Sequence, residues 1–292
     1  MKPPRFDYYA PENLDEALAL LDKFGGDARV LAGGQSLVPL MNMRLASPPR
    51  IVDINRISLL NYIRLDDGYL CLGALTRHRT MEQSQLIRAQ CPLLSKAVAF
   101  VGHAQVRTRG TVGGSVVHAD PAAEYPTVLA TLDGEIIAQS IHGHRTIGWE
   151  QFFLAPYTVD LQPDEMVVEI RVRVPARPAA CAFMELSRRQ GDFALVEAAV
   201  QIQIDDDGKC DQVRIGLGGV GGAPVRALAA EELLRGQPAD ARHVQQAALA
   251  VMDNIEPDDD IHGSANYRKQ MSSLLVTRAL EHAAQMASKQ NT

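Results

Sequence analysis

The first run of apolar positions with a clear period starts after Asn13. Leu14, Ala17, Leu18 and Leu21 recur at helical spacing, Asn13 can cap the run, and Gly25-Gly26 ends it. A short apolar strand is predicted from Ala28 to Ala32. The polar break Gly33-Gly34-Gln35-Ser36 follows, then a short helix from Leu37 to Ala46, stopped by Pro48-Pro49, and a strand from Arg50 to Ile54. From Tyr62 the period changes to two. Tyr62–Leu65 and Tyr69–Leu72 read as a hairpin turning at Asp67-Gly68. Helices are expected over Thr80–Ala89, Pro92–Val101 and Pro121–Leu132, the last capped by Asp120, and strands over Glu135–Ser140 and Val167–Val174.

Pro175 to Pro178 reads as a linker, and the pattern beyond it is different. Strands over Ala182–Ser187, Phe193–Ile204 and Gln212–Leu217, with a turn at Asp207-Gly208, suggest an antiparallel sheet. Helices are then expected over Ala227–Leu234, Ala241–Met252 and from Tyr267 onward. In the last of these Met271, Leu274, Leu275 and Leu280 form an apolar stripe suited to core packing.

With 292 residues, 46% of them hydrophobic, the chain can fill more than one core and reads as a soluble globular protein. A net charge of −6 gives no electrostatic footprint for nucleic acid or an anionic membrane surface. Short basic groups such as Arg77-His78-Arg79 read as solvated faces or internal ion pairs. The N-terminal residues contain no apolar leader and no later window is long enough to span a bilayer, so a cytoplasmic location is the expectation. Cys71, Cys91, Cys181 and Cys210 are too dispersed for a local zinc or iron–sulfur motif, and disulfides are not expected.

The densest chemistry lies between Thr108 and Glu124. Gly110, Gly113 and Gly114 let backbone N–H groups approach an anion, and Thr111 and Ser115 add hydroxyls. Asp120 and Glu124 repel phosphate but accept hydrogen bonds from sugar hydroxyls or ring N–H groups. Diphosphate at one end and hydroxyls at the other describe a nucleotide. The strand, Gly-Gly loop and helix around Gly33-Gly34 form a second anion-type loop.

Other motifs carry less. Gly216-Leu217-Gly218-Gly219-Val220-Gly221 matches the dinucleotide fingerprint, yet Gly222, Ala223 and Pro224 separate its third glycine from the next helix. Ser115, His118 and Asp120 are too close in sequence to converge as a hydrolytic triad, and no nucleophile-elbow motif is present. His142 and His144, with His118 and Glu124 elsewhere, lack the helical spacing of a metal pair. A Walker-type phosphate loop is absent.

Together, Leu31–Leu37 (LAGGQSL), Arg109–Ser115 (RGTVGGS) and Asp120–Glu124 (DPAAE) resemble the FAD-binding medium subunit of molybdenum hydroxylases, the carbon monoxide dehydrogenase and xanthine dehydrogenase flavoprotein family. Arg50–Ile54, Phe153–Tyr157, Ser187–Ala194, Gly218–Val220 and Pro224–Arg226 extend the likeness over nearly the whole chain. The resemblance implies an α+β fold: two FAD-binding subdomains of the vanillyl-alcohol-oxidase type, residues 1–57 and 58–175, and a C-terminal α+β domain over 176–292.

It also implies non-covalent FAD between the first two subdomains. Ala32, Gly33, Gly34, Gln35, Ser36 and Leu37 would form one side of the pyrophosphate cradle, and Thr111, Gly114 and Ser115 the other. Val101 and Val117 would line the cofactor, Glu124 would take ribitol or ribose hydroxyls, and Asp120 would be its neighbour. Asp192 and Phe193 would approach the isoalloxazine, and Leu195 stands where xanthine-dehydrogenase-like members tend to carry lysine. The implied partners are a small subunit with two [2Fe–2S] clusters and a large molybdopterin subunit that oxidises the substrate. The implied acceptor is NAD, oxygen, a quinone or a protein. A self-sufficient FAD-dependent oxidoreductase of the same fold is the alternative, and a non-catalytic nucleotide-binding protein a third reading.

Overall fold

The computed structural model describes residues 2–290, and for Lys289 and Gln290 only the backbone. Among the described residues three larger sheets follow one another along the chain, with a two-stranded ribbon, Phe153–Ala155 against Thr158–Val159, beside them. The first is parallel and three-stranded, in the order Asp7–Tyr9, Arg50–Asp53, Ala28–Leu31. Its edge strand Asp7–Tyr9 has no apolar alternation and so gave no signal in the sequence. The helix Leu14–Phe24 lies over this sheet. Asn13 caps it, its Oδ1 accepting from the Glu16 N–H at 2.9 Å, and Ala17, Leu18 and Leu21 are buried with Val52 and Ile54.

The second sheet is antiparallel, in the order Ile63–Asp66, Tyr69–Gly73, Met166–Arg173, Glu135–Ser140, Gly143–Gly148. Short helices lie in the chain between its strands Tyr69–Gly73 and Glu135–Ser140, namely His78–Gln83, Gln85–Gln90, Pro92–Ala97, Ala104–Arg109, Val112–His118 and Glu124–Leu132, and Val112–His118 packs directly on Tyr69–Gly73 and Met166–Arg173. The third sheet, Ala180–Ser187, Ala194–Ile204, Cys210–Gly218 and Val225–Arg226, is antiparallel and backed by Leu228–Leu234, Ala241–Ala250 and Ala265–Gln290. The two larger cores are not sealed from each other. Cys181, Phe183 and Ala199 of the third sheet are buried with Leu93, Ala97 and Tyr125 of the second unit.

Several expected elements are corrected. The Thr80–Ala89 helix is two helices, because the Ser84 hydroxyl accepts from the Ile87 N–H at 3.2 Å and starts a second one. The helix expected at Pro121 starts at Glu124. Asp120 is not its cap: its Oδ1 accepts from Ala122 N–H at 3.0 Å, closing a local turn instead. The glycine-rich stretch before it is helical over Val112–His118, with Thr111 as the cap. The final helix spans Ala265–Gln290, and Leu274 is 38% exposed, off the buried face formed by Leu275, Val276, Ala279, Leu280 and Ala283.

The false dinucleotide match has a packing explanation. A Cβ at Gly216 or Gly218 would collide with Thr131 or Thr127 of the Glu124–Leu132 helix, so these glycines let that helix lie directly on the third sheet. Among the described residues no helix is long and apolar enough to cross a membrane.

Candidate cofactor site

The strand Ala28–Leu31 ends at Ala32, and Gly33 to Ser36 turn the chain into the helix Leu37–Asn42. Among the described residues, the N–H groups of Gly33, Gly34, Gln35 and Ser36 have no hydrogen-bond acceptor. Backbone donors left free in this way are suited to an anion. Gly34 adopts φ +71°, the left-handed region that glycine enters without strain. Gly33 is needed for space. A Cβ there would lie 2.6 Å from the Arg109 carbonyl oxygen and 2.7 Å from the Gly110 Cα, so the two glycine loops touch backbone to backbone.

The second loop is held by the segment 74–78 that follows the strand Tyr69–Gly73. His78 N–H donates to Gly110 O at 3.1 Å, Val112 N–H to Thr76 O at 3.0 Å and Gly113 N–H to Ala74 O at 3.0 Å. Thr111 Oγ1 then accepts from Gly114 N–H at 3.2 Å and opens the Val112–His118 helix. Glycine is a poor helix former, but a Cβ on Gly113 would lie 2.7 Å from that of Ala74, so close packing overrides propensity here. Val112, Gly113 and Val116 face inward, while Gly114, Ser115, Val117 and His118, at i, i+1, i+3 and i+4, share the partly open face. That face meets the first loop, since a Cβ on Gly114 would sit 3.8 Å from that of Ala32. Beneath Gly110 lies the ring of His78, hydrogen-bonded through Nδ1 to the Tyr125 hydroxyl at 2.9 Å. Burial, with Arg107 and Arg77 adding to it, pushes this imidazole down to about 4 and keeps it neutral.

Val101 is buried, and its carbonyl, with that of Gly102, accepts from Arg107 Nη1 at 3.2 and 2.8 Å. Next to it, the His103 ring is so close to Gly191 that a Cβ there would collide, which brings the Arg188–Phe193 loop of the third unit to this edge. Phe193 is 72% exposed and Asp192 is exposed, whereas Leu195 is buried with its carbonyl accepting from Arg268 Nη1 at 2.5 Å.

The acidic end is more buried than the sequence suggested. Asp120 is 8% exposed and accepts from the Tyr157 hydroxyl at 3.2 Å. Tyr157 N–H also donates to Ala119 O at 2.9 Å. Burial pushes Glu124 up to about 8, with the charges of Glu185 and Asp120 adding to the effect. Two acids from the third sheet join it, and sequence reasoning missed both. Burial pushes Glu185 up to about 7, and burial with the charge of Glu124 raises Glu197 well above the ordinary carboxylate range. Glu197 Oε2 accepts from Thr127 Oγ1 at 2.5 Å, while Glu197 Oε1 and Glu185 Oε2 are buried with no partner among the described residues.

These acids give the fold a pH dependence with a definite sign. In the unfolded chain they ionise near 4.5; in the folded chain they hold their protons to higher pH, so the native state binds more protons over that interval. For Glu124 and Glu185 stability is therefore present in full below about 4.5 and lost as pH rises through about 7 and about 8, and Glu197 adds a loss of the same sign. The Glu197→Gln variant keeps an acceptor for Thr127 but cannot ionise. Melting curves of the cofactor-free chain are expected to fall with rising pH for the wild type and to fall less for Glu197→Gln; parallel curves would disprove the assignment.

The free amides of Gly33 to Ser36 suit a diphosphate and the Asp120 carboxylate can accept from hydroxyls, a set of groups whose chemistry fits FAD. Residues 4–176 match the family described as the FAD binding domain in molybdopterin dehydrogenase. Residues 181–283 match the CO dehydrogenase flavoprotein C-terminal domain. The chain belongs to this flavoprotein family. It is 41% identical to the 6-hydroxypseudooxynicotine dehydrogenase complex subunit alpha of Paenarthrobacter nicotinovorans, covering 98% of this chain and 97% of that one. It is 36% identical to the carbon monoxide dehydrogenase medium chain of Hydrogenophaga pseudoflava, covering 97% and 98%.

Solved structures agree. The carbon monoxide dehydrogenase of Hydrogenophaga pseudoflava superimposes with a TM-score of 0.93 at 38% identity, covering 97% of this chain and 98% of that one. Quinoline 2-oxidoreductase of Pseudomonas putida 86 gives 0.94 at 37% identity, covering 98% and 99%. As a member of the flavoprotein family, the chain is an FAD-binding oxidoreductase subunit, the medium subunit type of molybdenum hydroxylases.

Proposed function

We propose that this chain is the electron-transferring medium subunit of a molybdenum-containing hydroxylase. It would receive electrons from [2Fe–2S] clusters on a small partner subunit and deliver them to an external acceptor: NAD, oxygen, a quinone or a protein. Substrate oxidation would take place on a separate molybdopterin subunit, and the assembly would be cytoplasmic. The observation that carries this reading is the backbone contact between the two glycine loops, with the free amides of Gly33 to Ser36 on one side and the Thr111–Ser115 helix start on the other. The parts of the chain would divide at residues 57/58 and 175/176, with the cofactor between the first two.

When bound, FAD supplies stepwise redox chemistry between one-electron and two-electron partners. The protein's own residues bind and orient it. Amides of Ala32 to Ser36 and the start of the following helix at Leu37 would hold the pyrophosphate together with Thr111, Gly114 and Ser115. Val101 and Val117 would exclude water from the cofactor, and Glu124 with Asp120 would accept from sugar hydroxyls. The four cysteines are each buried within packed cores, which supports placing the iron–sulfur clusters on a partner, since a cluster needs four thiolates around it.

The purified chain is expected to show a flavin absorption band that a chemical reductant bleaches and that N-heterocyclic, aldehyde or carbon monoxide substrates leave unchanged. Bleaching by such a substrate with the chain alone would overturn the reading in favour of a self-sufficient flavoenzyme. Purification from its native source is expected to bring iron, molybdenum and two further chains in fixed proportion.

A further inference from the structure

We infer that Arg77, which the sequence presents only as part of a short basic group, and Asn55 are positioning residues that lock the two cofactor loops into one cradle. The inference rests on the proposed flavin site. Arg77 is half-buried at the cap of the His78–Gln83 helix, and its backbone forms an isolated antiparallel bridge with Thr111. Its guanidinium reaches both ways. Nη1 donates to the Arg109 carbonyl, and Nη2 donates to Asn55 Oδ1 at 2.6 Å. Asn55 Nδ2 passes the connection on, donating to the Ala32 carbonyl at 2.7 Å and to Asp53 Oδ1 at 2.6 Å. Asp53 is anchored from its other oxygen by the Tyr8 hydroxyl at 2.6 Å.

The two backbone carbonyls at the ends of this chain, Ala32 and Arg109, are those immediately before Gly33 and Gly110. A trans peptide points its C=O and the next N–H in opposite directions. Asn55, by holding the Ala32 carbonyl, therefore turns the Gly33 N–H, the first of the free amides, away from itself. Arg77 holds the Arg109 carbonyl, the same oxygen that packs against Gly33 at the loop contact. One side chain in each subdomain thus sets the orientation of the first donor and the spacing between the loops. Only a planar fork can reach both acceptors at once, so lysine is a poor substitute.

The test uses the full chain freed of flavin, with FAD and with ADP, which carries the diphosphate but no isoalloxazine. Arg77→Lys and Asn55→Ala are each expected to weaken both ligands by about 10- to 100-fold. The apo melting temperature should be nearly unchanged, and the 31P resonances of bound FAD should shift. Because the two residues act through one hydrogen bond, the double variant should lose less than the product of the single losses. Unchanged affinity in both single variants overturns the inference, as does a loss of affinity that simply follows a collapsed apo melting curve in both. A wild-type chain that binds neither FAD nor ADP overturns the proposed site itself, and is thereby distinguished from failure of the positioning role.

Discussion

A single methyl group at Gly33 is expected to cost the protein its flavin. In Gly33→Ala the new Cβ would stand 2.6 Å from the Arg109 carbonyl oxygen and 2.7 Å from the Gly110 Cα, and both neighbours are backbone that cannot rotate away. The loops must separate, and the free amides of the first loop move out of reach of a ligand held by Thr111, Gly114 and Ser115. Overpacking of this kind costs up to about 3 kcal/mol, which predicts a rise of about 100-fold in the Kd for FAD and a colourless protein on purification. Gly33 belongs to none of the hydrophobic cores, so the apo chain should remain folded, with a melting temperature lowered by about 10 °C at most. Gly34→Ala is the informative comparison. Its Cβ would touch only the side-chain atoms Leu31 Cδ1 and Val38 Cγ2, each at 3.2 Å, so its cost is chiefly that of φ +71° and its effect should be smaller. Retention of flavin by Gly33→Ala at wild-type affinity would refute the contact between loops as the basis of binding.

Loss of Arg268 is expected to be the most damaging single change to stability. Its buried guanidinium donates to the Leu195 carbonyl at 2.5 Å, the Gly219 carbonyl at 3.0 Å and Asp260 Oδ2 at 2.7 Å. Arg268→Met retains the aliphatic stem and strands two carbonyls inside the protein. Asp260 is partly exposed and water can replace its share, so the carbonyls dominate. The expected cost is about 3 kcal/mol, seen as a drop of roughly 10 °C in melting temperature. The effect should reach the cofactor site, because Gly219 N–H donates to Pro121 O at 2.9 Å and so supports the Asp120 turn. A second expected sign is faster proteolysis between Pro257 and Ser264, the segment that Arg268 ties down through Asp260. Arg268→Lys should recover part of the loss. A melting temperature equal to wild type in Arg268→Met would remove Arg268 from this role.

What could be read from the sequence was local. Gly33-Gly34 after a strand, Asn13 before an apolar period and Asp67-Gly68 between alternating runs each act over a few residues, and each lies in the predicted kind of element. The Val112–His118 helix was illegible, because two glycines argue against a helix and only Ala74, far along the chain, argues for one. Asp120 showed the converse error. A good capping residue before Pro121 folds onto its own backbone once Tyr157 and the third sheet are in place.

The site divided in the same way. Its glycines and hydroxyls announced themselves by composition, and the family resemblance joined the two loops. Residues that act at a distance gave no sign. Asn55 and Arg77 meet across 22 positions and Thr127 and Glu197 across 70, so neither pair forms a motif. Glu197 lies within the predicted strand Phe193–Ile204 with no neighbour that marks it, and only the helix laid over Gly218 shows that it is fully enclosed.

The burial of Cys181, Phe183 and Ala199 among Leu93, Ala97 and Tyr125 bears on how such a protein can be inherited and recombined. The junction between the two family matches, residues 176 to 181, is a seam in the chain and not in the packing. A C-terminal unit exchanged at that point from a relative would arrive with half of an interior and leave the other half facing solvent. The two units are therefore constrained to change together, their interior positions drifting as compensated sets, while the exposed faces of each remain free to specialise for different assemblies.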